Sequence, residues 1–154
     1  MNEQQPETLI SRVKAMQSEY HTLLFAWFSP TKDFHFSGVS VEDEINKIWR
    51  KFRAYCKRNN IQLQGIRRIK TTRKHKAKVF ELALFVPNAS LDAVKNQLSD
   101  AFPKSDFKTT VMPPITEERG IQYIENIMLY PDQPNAYLSL ISATPNPLAT
   151  QTQQ

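Results

Sequence analysis

"KAKVFELALFV" spans residues 76–86, and both of its side-chain parities are apolar. Phe80, Leu82, Leu84 and Val86 fall on one face of an extended chain. Ala77, Val79, Ala83 and Phe85 fall on the other, with Glu81 among them. A strand that is apolar on both sides is covered on both sides, which places it in the centre of its sheet. "YHTLLFAWFS" (20–29) has the same property, with Leu23, Phe25 and Trp27 opposite Leu24, Ala26 and Phe28. Two central strands form the frame around which the remaining segments are placed.

Between them lies the most strongly patterned helix of the chain. Ser40 is set to cap it, and Glu42, Asp43 and Glu44 fill the first turn, where the helix dipole favours acids. Ile45, Ile48, Trp49, Phe52 and Cys56 repeat at helical spacing, and Lys57 and Arg58 close the helix before Asn59-Asn60. Residues 61–72 read as a strand that pairs with 76–86. Ile61, Leu63 and Ile69 share a parity, and the other face is largely polar, which predicts an edge strand, bulged at Gly65.

Ser90 is placed to cap a helix with the stripe Leu91, Val94, Leu98 and Phe102. Residues 105–113 then alternate as a short strand, and Thr116 opens a last helix through Leu129. A short helix over 7–19 precedes the first strand, and "PTKDFHFSG" (30–38) reads as a loop.

The resulting order is α-β-α-β-β-α-β-α. Its middle is the split β-α-β-β-α-β unit. The predicted class is α+β: a ferredoxin-like antiparallel sheet of order 4-1-3-2 with extra N- and C-terminal helices. One domain over 1–130 is expected, followed by a Pro/Gln/Thr-rich, partly disordered tail over 131–154 that is extended or disordered beyond about Ala143.

Charge points to a partner. Residues 47–78 hold 13 of the 20 Lys and Arg and no Asp or Glu, while the rest of the chain carries 7 basic and 15 acidic residues. So concentrated a positive zone attracts polyanions. Within it, Arg67, Arg68, Lys70, Arg73, Lys74, Lys76 and Lys78 are crowded onto the predicted hairpin. Their mutual repulsion would be relieved by a phosphate backbone, so these seven are the candidate nucleic-acid contacts. Phe34, His35 and Phe36 in the preceding loop offer rings for stacking on unpaired bases. The alternative for the two Phe is that they fold back into the core.

Other classes are excluded or narrowed. Three glycines cannot build Gly-rich phosphate loops. "LLFAWF" (23–28) is too short to span a bilayer, and the polar, acidic "MNEQQPETLI" is no secretory signal. The lone Cys56 lies on a core stripe and fits a reducing, cytoplasmic setting. No membrane partner is expected, and the oligomeric state stays open.

Four segments resemble one known family. "HTLLFAWFSP", "INKIWRKFRAYCKRNNIQLQGIRRIKTT", "KVFELALFVP" and "RGIQYIENIMLYPDQP" are similar to successive parts of the rolling-circle replication initiators and relaxases, the His-hydrophobic-His endonucleases of phages and plasmids. The resemblance implies binding to single-stranded or hairpin DNA. It also implies a divalent ion, Mg or Mn, held by two same-face histidines, and a tyrosine that attacks the scissile phosphate.

In this sequence Val79 and Glu81 stand at the two histidine positions, so Glu81 is the one candidate metal ligand. An ion pair with a cation of the neighbouring strand is the other account of Glu81, because an acid on a half-buried sheet face needs a partner. Tyr123 stands at the nucleophile position, and the alternatives are a DNA contact or packing with its hydroxyl at the rim. The expected activity is therefore DNA binding with nicking lost or altered, and no cofactor unless nicking survives, in which case Mg or Mn. A ferredoxin-like RNA or single-strand-binding module and a regulatory protein-interaction subunit are the other two readings.

Overall fold

The computed structural model describes residues 6–35, 38, 40–71, 77–112, 116–128 and 137–141. Five helices and five strands are present among them. These are α1 (Pro6–Lys14), β1 (His21–Pro30), α2 (Lys32–His35), α3 (Val41–Arg58), β2 (Gln64–Thr71), β3 (Lys78–Pro87), α4 (Leu91–Ala101), β4 (Phe107–Val111), α5 (Glu117–Tyr123) and β5 (Tyr137–Ile141). The strands form one antiparallel sheet in the order β4-β1-β3-β2-β5. The α+β class and the predicted 4-1-3-2 order stand, extended by one strand.

That fifth strand corrects two expectations. Residues 137–141, placed in the tail, pair with β2 from Gly65↔Ile141 to Ile69↔Tyr137. The sheet therefore runs beyond the expected boundary at 130/131, and β2 is an interior strand. The segment "YLSLI" carries the β-prone residues that an edge position needs. No bulge interrupts β2 either: its register with β3 runs without a break from Gln64↔Phe85 to Thr71↔Lys78. Gly65 instead solves a spacing problem. It sits at φ +149°, and a Cβ there would overlap the carbonyl oxygen of Ala83 on the adjacent strand.

The two faces of the sheet are covered differently. On one, α3 and α4 pack Ile45, Trp49, Phe52, Val94 and Leu98 against Leu24, Phe28, Phe80, Leu82 and Leu84. Phe28 and Phe102 stack with ring centroids 4.0 Å apart. On the other face, α1 and α5 lay Val13, Ile121 and the following Ile124 on Leu23, Phe25, Ile66, Ala83 and Phe85. Gly120 lets α5 approach closely, since a Cβ there would run into the Leu23 side chain. The last helix does not continue as one α-helix. Thr116 accepts a hydrogen bond from the Arg119 backbone N–H, and after Tyr123 the helix widens into a π turn over Ile124–Met128.

Ser40 caps α3 as its sequence indicates, its hydroxyl accepting from the Asp43 N–H at 3.3 Å. Ser90 makes no such bond, because the chain enters α4 through a 3-10 turn over Asn88–Ser90. The expected loop at 30–38 contains the single-turn α2, and Phe34 is packed on the core with its ring 5.1 Å from that of Phe107. Phe34 is therefore not a free stacking platform. The side chain of His35, and Phe36 as a whole, lie outside the described residues.

Candidate nucleic-acid interface

Strand alternation separates the hairpin cations. Arg68 and Lys70 share a sheet face with Glu81, whereas Arg67 and Lys78 share the opposite face with Leu82 and Phe80. Arg73, Lys74 and Lys76, with His75, lie outside the described residues. The seven cations therefore do not act as one solvent-facing ribbon.

Arg68 is the clearest correction to the set of candidate contacts. It is 1 % exposed, and its guanidinium is engaged by Glu81: Nε donates to Oε1 at 2.7 Å, and Nη2 pairs with the same oxygen. The other carboxylate oxygen accepts from Trp27 Nε1 at 2.7 Å and lies 3.3 Å from Lys70 Nζ. Register explains the convergence. Trp27 pairs with Glu81 and Arg68 pairs with Glu81 from the other side, so the three residues form one row across β1, β3 and β2. A carboxylate this deep is tolerated because both oxygens have donors.

Glu81 is thus the anchor of an internal ion pair, as the second account of it holds, and not a metal ligand. The donor set does not fit Mg or Mn: one carboxylate is present, and a guanidinium and an ammonium already occupy its oxygens. Among the described residues no cluster of three His, Cys, Asp or Glu is arranged to hold a metal ion.

Tyr123 is brought to the same face, at the edge of this cluster. Its ring meets Phe25 edge-on at 5.2 Å and Trp27 at 6.2 Å. Burial pushes its pKa up, and the Glu81 charge pushes it further, while the Trp27 hydrogen bond and Arg68 pull the other way. At neutral pH the side chain is a phenol, packed by its ring, and not an activated phenolate.

Among the described residues of the basic zone over 47–78, five exposed cations are on α3. Val41, Ile45, Ile48, Trp49, Phe52 and Cys56 face the sheet, so helical periodicity turns Lys47, Arg50, Lys51, Lys57 and Arg58 outward. None of these five has a carboxylate partner among the described residues. Arg53 stands at the flank of this arc, and its guanidinium lies 5.8 Å from the centroid of the Trp49 ring. Arg67 approaches the same ring at 5.8 Å from β2, and its Nη1 donates to Asn46 Oδ1 at 3.1 Å. Lys78 donates to Thr71 Oγ1 at 2.9 Å and lies 3.9 Å from Glu42.

The hairpin thus supplies Arg67 and Lys78 to the border of the helix face, and α3 carries Lys47, Arg50, Lys51, Lys57 and Arg58 without carboxylate partners among the described residues. The signal was in the sequence: an i, i+3/i+4 core stripe dictates an opposite arc, and that arc contains six cations when Arg53 is included. In comparisons with known proteins, no family model, no curated protein and no solved structure matches the chain.

Proposed function

We propose that this chain is a nucleic-acid-binding protein that takes single-stranded or hairpin DNA along the outer face of α3. The observation that carries the reading is the arc Lys47, Arg50, Lys51, Lys57 and Arg58, exposed and without carboxylate partners among the described residues. Like charges at helical neighbour spacing repel one another, and a phosphate backbone relieves that repulsion while releasing counterions. The arc runs from Lys47 to Arg58, about 16 Å along the helix at 1.5 Å per residue. Across the groove beside it, α4 exposes Asp92 and Asp100, so the favourable field follows α3 and fades toward α4.

Base stacking on an open sheet, the mode of the RNA-recognition sheets, has less support. Phe25 and Phe85 on one face and Phe28 and Phe80 on the other are all buried under helices. The proposed function includes no nicking step, because Glu81 is engaged by Arg68, Lys70 and Trp27 and burial holds Tyr123 as a phenol. No helix among the described residues is long and apolar enough to cross a membrane. The single unpaired, buried Cys56 fits a cytoplasmic setting.

The test is fluorescence anisotropy with labelled hairpin DNA, single-stranded DNA, duplex DNA and RNA across a salt series, with and without Mn. Contact with about five phosphates gives a slope of log K on log salt near −4. Lys51→Glu with Arg58→Glu should abolish binding. Failure to retain any oligonucleotide at low salt would sink the reading. A tyrosyl-DNA adduct that resists detergent would overturn the part that excludes nicking.

A further inference from the structure

The groove between α3 and α4 combines features that a simple charged surface lacks. Lys51, Tyr55 and Arg58 follow one another at i, i+4 and i+7, so they form one stripe along the α3 side of the groove. Gln97 and Ala101 of α4 line the opposite wall, and Ile48 contributes to the apolar floor. Lys51 and Arg58 are exposed, while Tyr55 is half-buried with its ring against the core. The groove holds about 340 Å³, within the size range of sites that take a small molecule.

We infer that this groove is a subsite for one unpaired nucleotide of a single strand, an inference that rests on the nucleic-acid reading of α3. The base stacks on Tyr55, the flanking phosphates meet Lys51 and Arg58, and the Gln97 amide, which both donates and accepts, faces the base edge. Charge complementarity selects the occupant: two cations flank one aromatic ring over an apolar floor. An acidic peptide would satisfy the cations but would leave the ring and the amide without matched partners. A paired base cannot enter, because its faces are already covered by its neighbours in the stack. The subsite therefore makes the cationic helix selective for unpaired nucleotides, which charge alone does not.

The experiment uses the full chain and an oligothymidine of about 12 nucleotides bearing 5-iodouracil, with a blunt duplex of equal length for comparison. Irradiation should crosslink the single strand to Tyr55, as located by peptide mass spectrometry on the unmodified protein. Tyr55→Leu should weaken single-strand binding by about 5- to 100-fold and leave duplex binding within about 2-fold, the size expected for one lost base–aromatic stack. Tyr55→Phe should keep the affinity, and Gln97→Leu should reduce it without touching the ring. Crosslinking confined to other residues, or a folded Tyr55→Leu chain with unchanged single-strand affinity, overturns the subsite but leaves the α3 reading standing. If the unaltered chain binds no oligonucleotide, both fall.

Discussion

Arg68 and Glu81 close an ion pair inside the sheet, with only 1 % and 2 % of their surfaces exposed. Removing one partner of such a pair leaves a charge in a poorly solvated place, whereas removing both need not. Glu81→Leu should therefore cost about 3–5 kcal/mol. Arg68→Met should cost less, because Glu81 keeps Lys70 and Trp27. The double variant should be more stable than Glu81→Leu alone. Urea unfolding of the three variants measures this, and simple additivity of the two single effects would show that the residues are not coupled.

Cys56 should report on pH. Burial pushes its thiol up to about 11 from an ordinary 9.0, against a smaller opposing effect from Arg53. The unfolded chain therefore ionises first as pH rises. The stability linked to this thiol is fully present below pH 9 and declines through the window up to about 11. The expected loss is roughly 2–3 kcal/mol. The urea midpoint of the unaltered chain should fall toward that of Cys56→Ala across this window, and a constant gap between the two would contradict the assignment. Thiol-reactive reagents should label Cys56 only slowly below it.

The two close-approach glycines should differ in their tolerance of a methyl group. At Gly65 the obstruction is the Ala83 backbone carbonyl, which cannot move without breaking the β2–β3 ladder. At Gly120 it is the tip of the Leu23 side chain, which has other rotamers. Gly65→Ala should cost more than about 2 kcal/mol, and Gly120→Ala about 1–2 kcal/mol. Thermal unfolding will rank them, and the reverse order would show that the α5 contact is the tighter one.

Ile141 ties β5 to the core at 3 % exposure. Ile141→Ala should cost about 2–4 kcal/mol, and deletion of residues 137–141 should leave β2 open to self-association. Sedimentation of the deleted chain checks the second point; a monomer of unchanged stability would mean that the strand is dispensable.

The legible parts of the fold are those in which local pattern and tertiary role coincide. Leu23 to Phe28 and Val79 to Val86 are apolar on both parities because helices cover both sheet faces, so their central position could be read directly. Ser40 and the acids behind it fix the start of α3 by local hydrogen bonding and dipole. An ion pair between Glu81 and a cation of the neighbouring strand was legible, but its identity as Arg68 was not, because register alone places the two residues opposite each other. The strand at Tyr137 was hidden by its neighbours: Pro131 and Pro134 before it and the Pro, Gln and Thr after it give the segment a tail-like composition. On α3 the core stripe dictates the outward arc, whereas the hairpin cations divide between the two sheet faces only through their register with β3.

Closing β2 with the strand made long after it has a consequence for synthesis. While the ribosome is still adding the segment that becomes β5, its sheet neighbour β2 has already been made, with one backbone edge unpaired. A nascent chain in that interval is vulnerable to pairing with another copy of itself, so its yield in the cell will depend on translation speed and chaperone supply as much as on the stability of the finished fold.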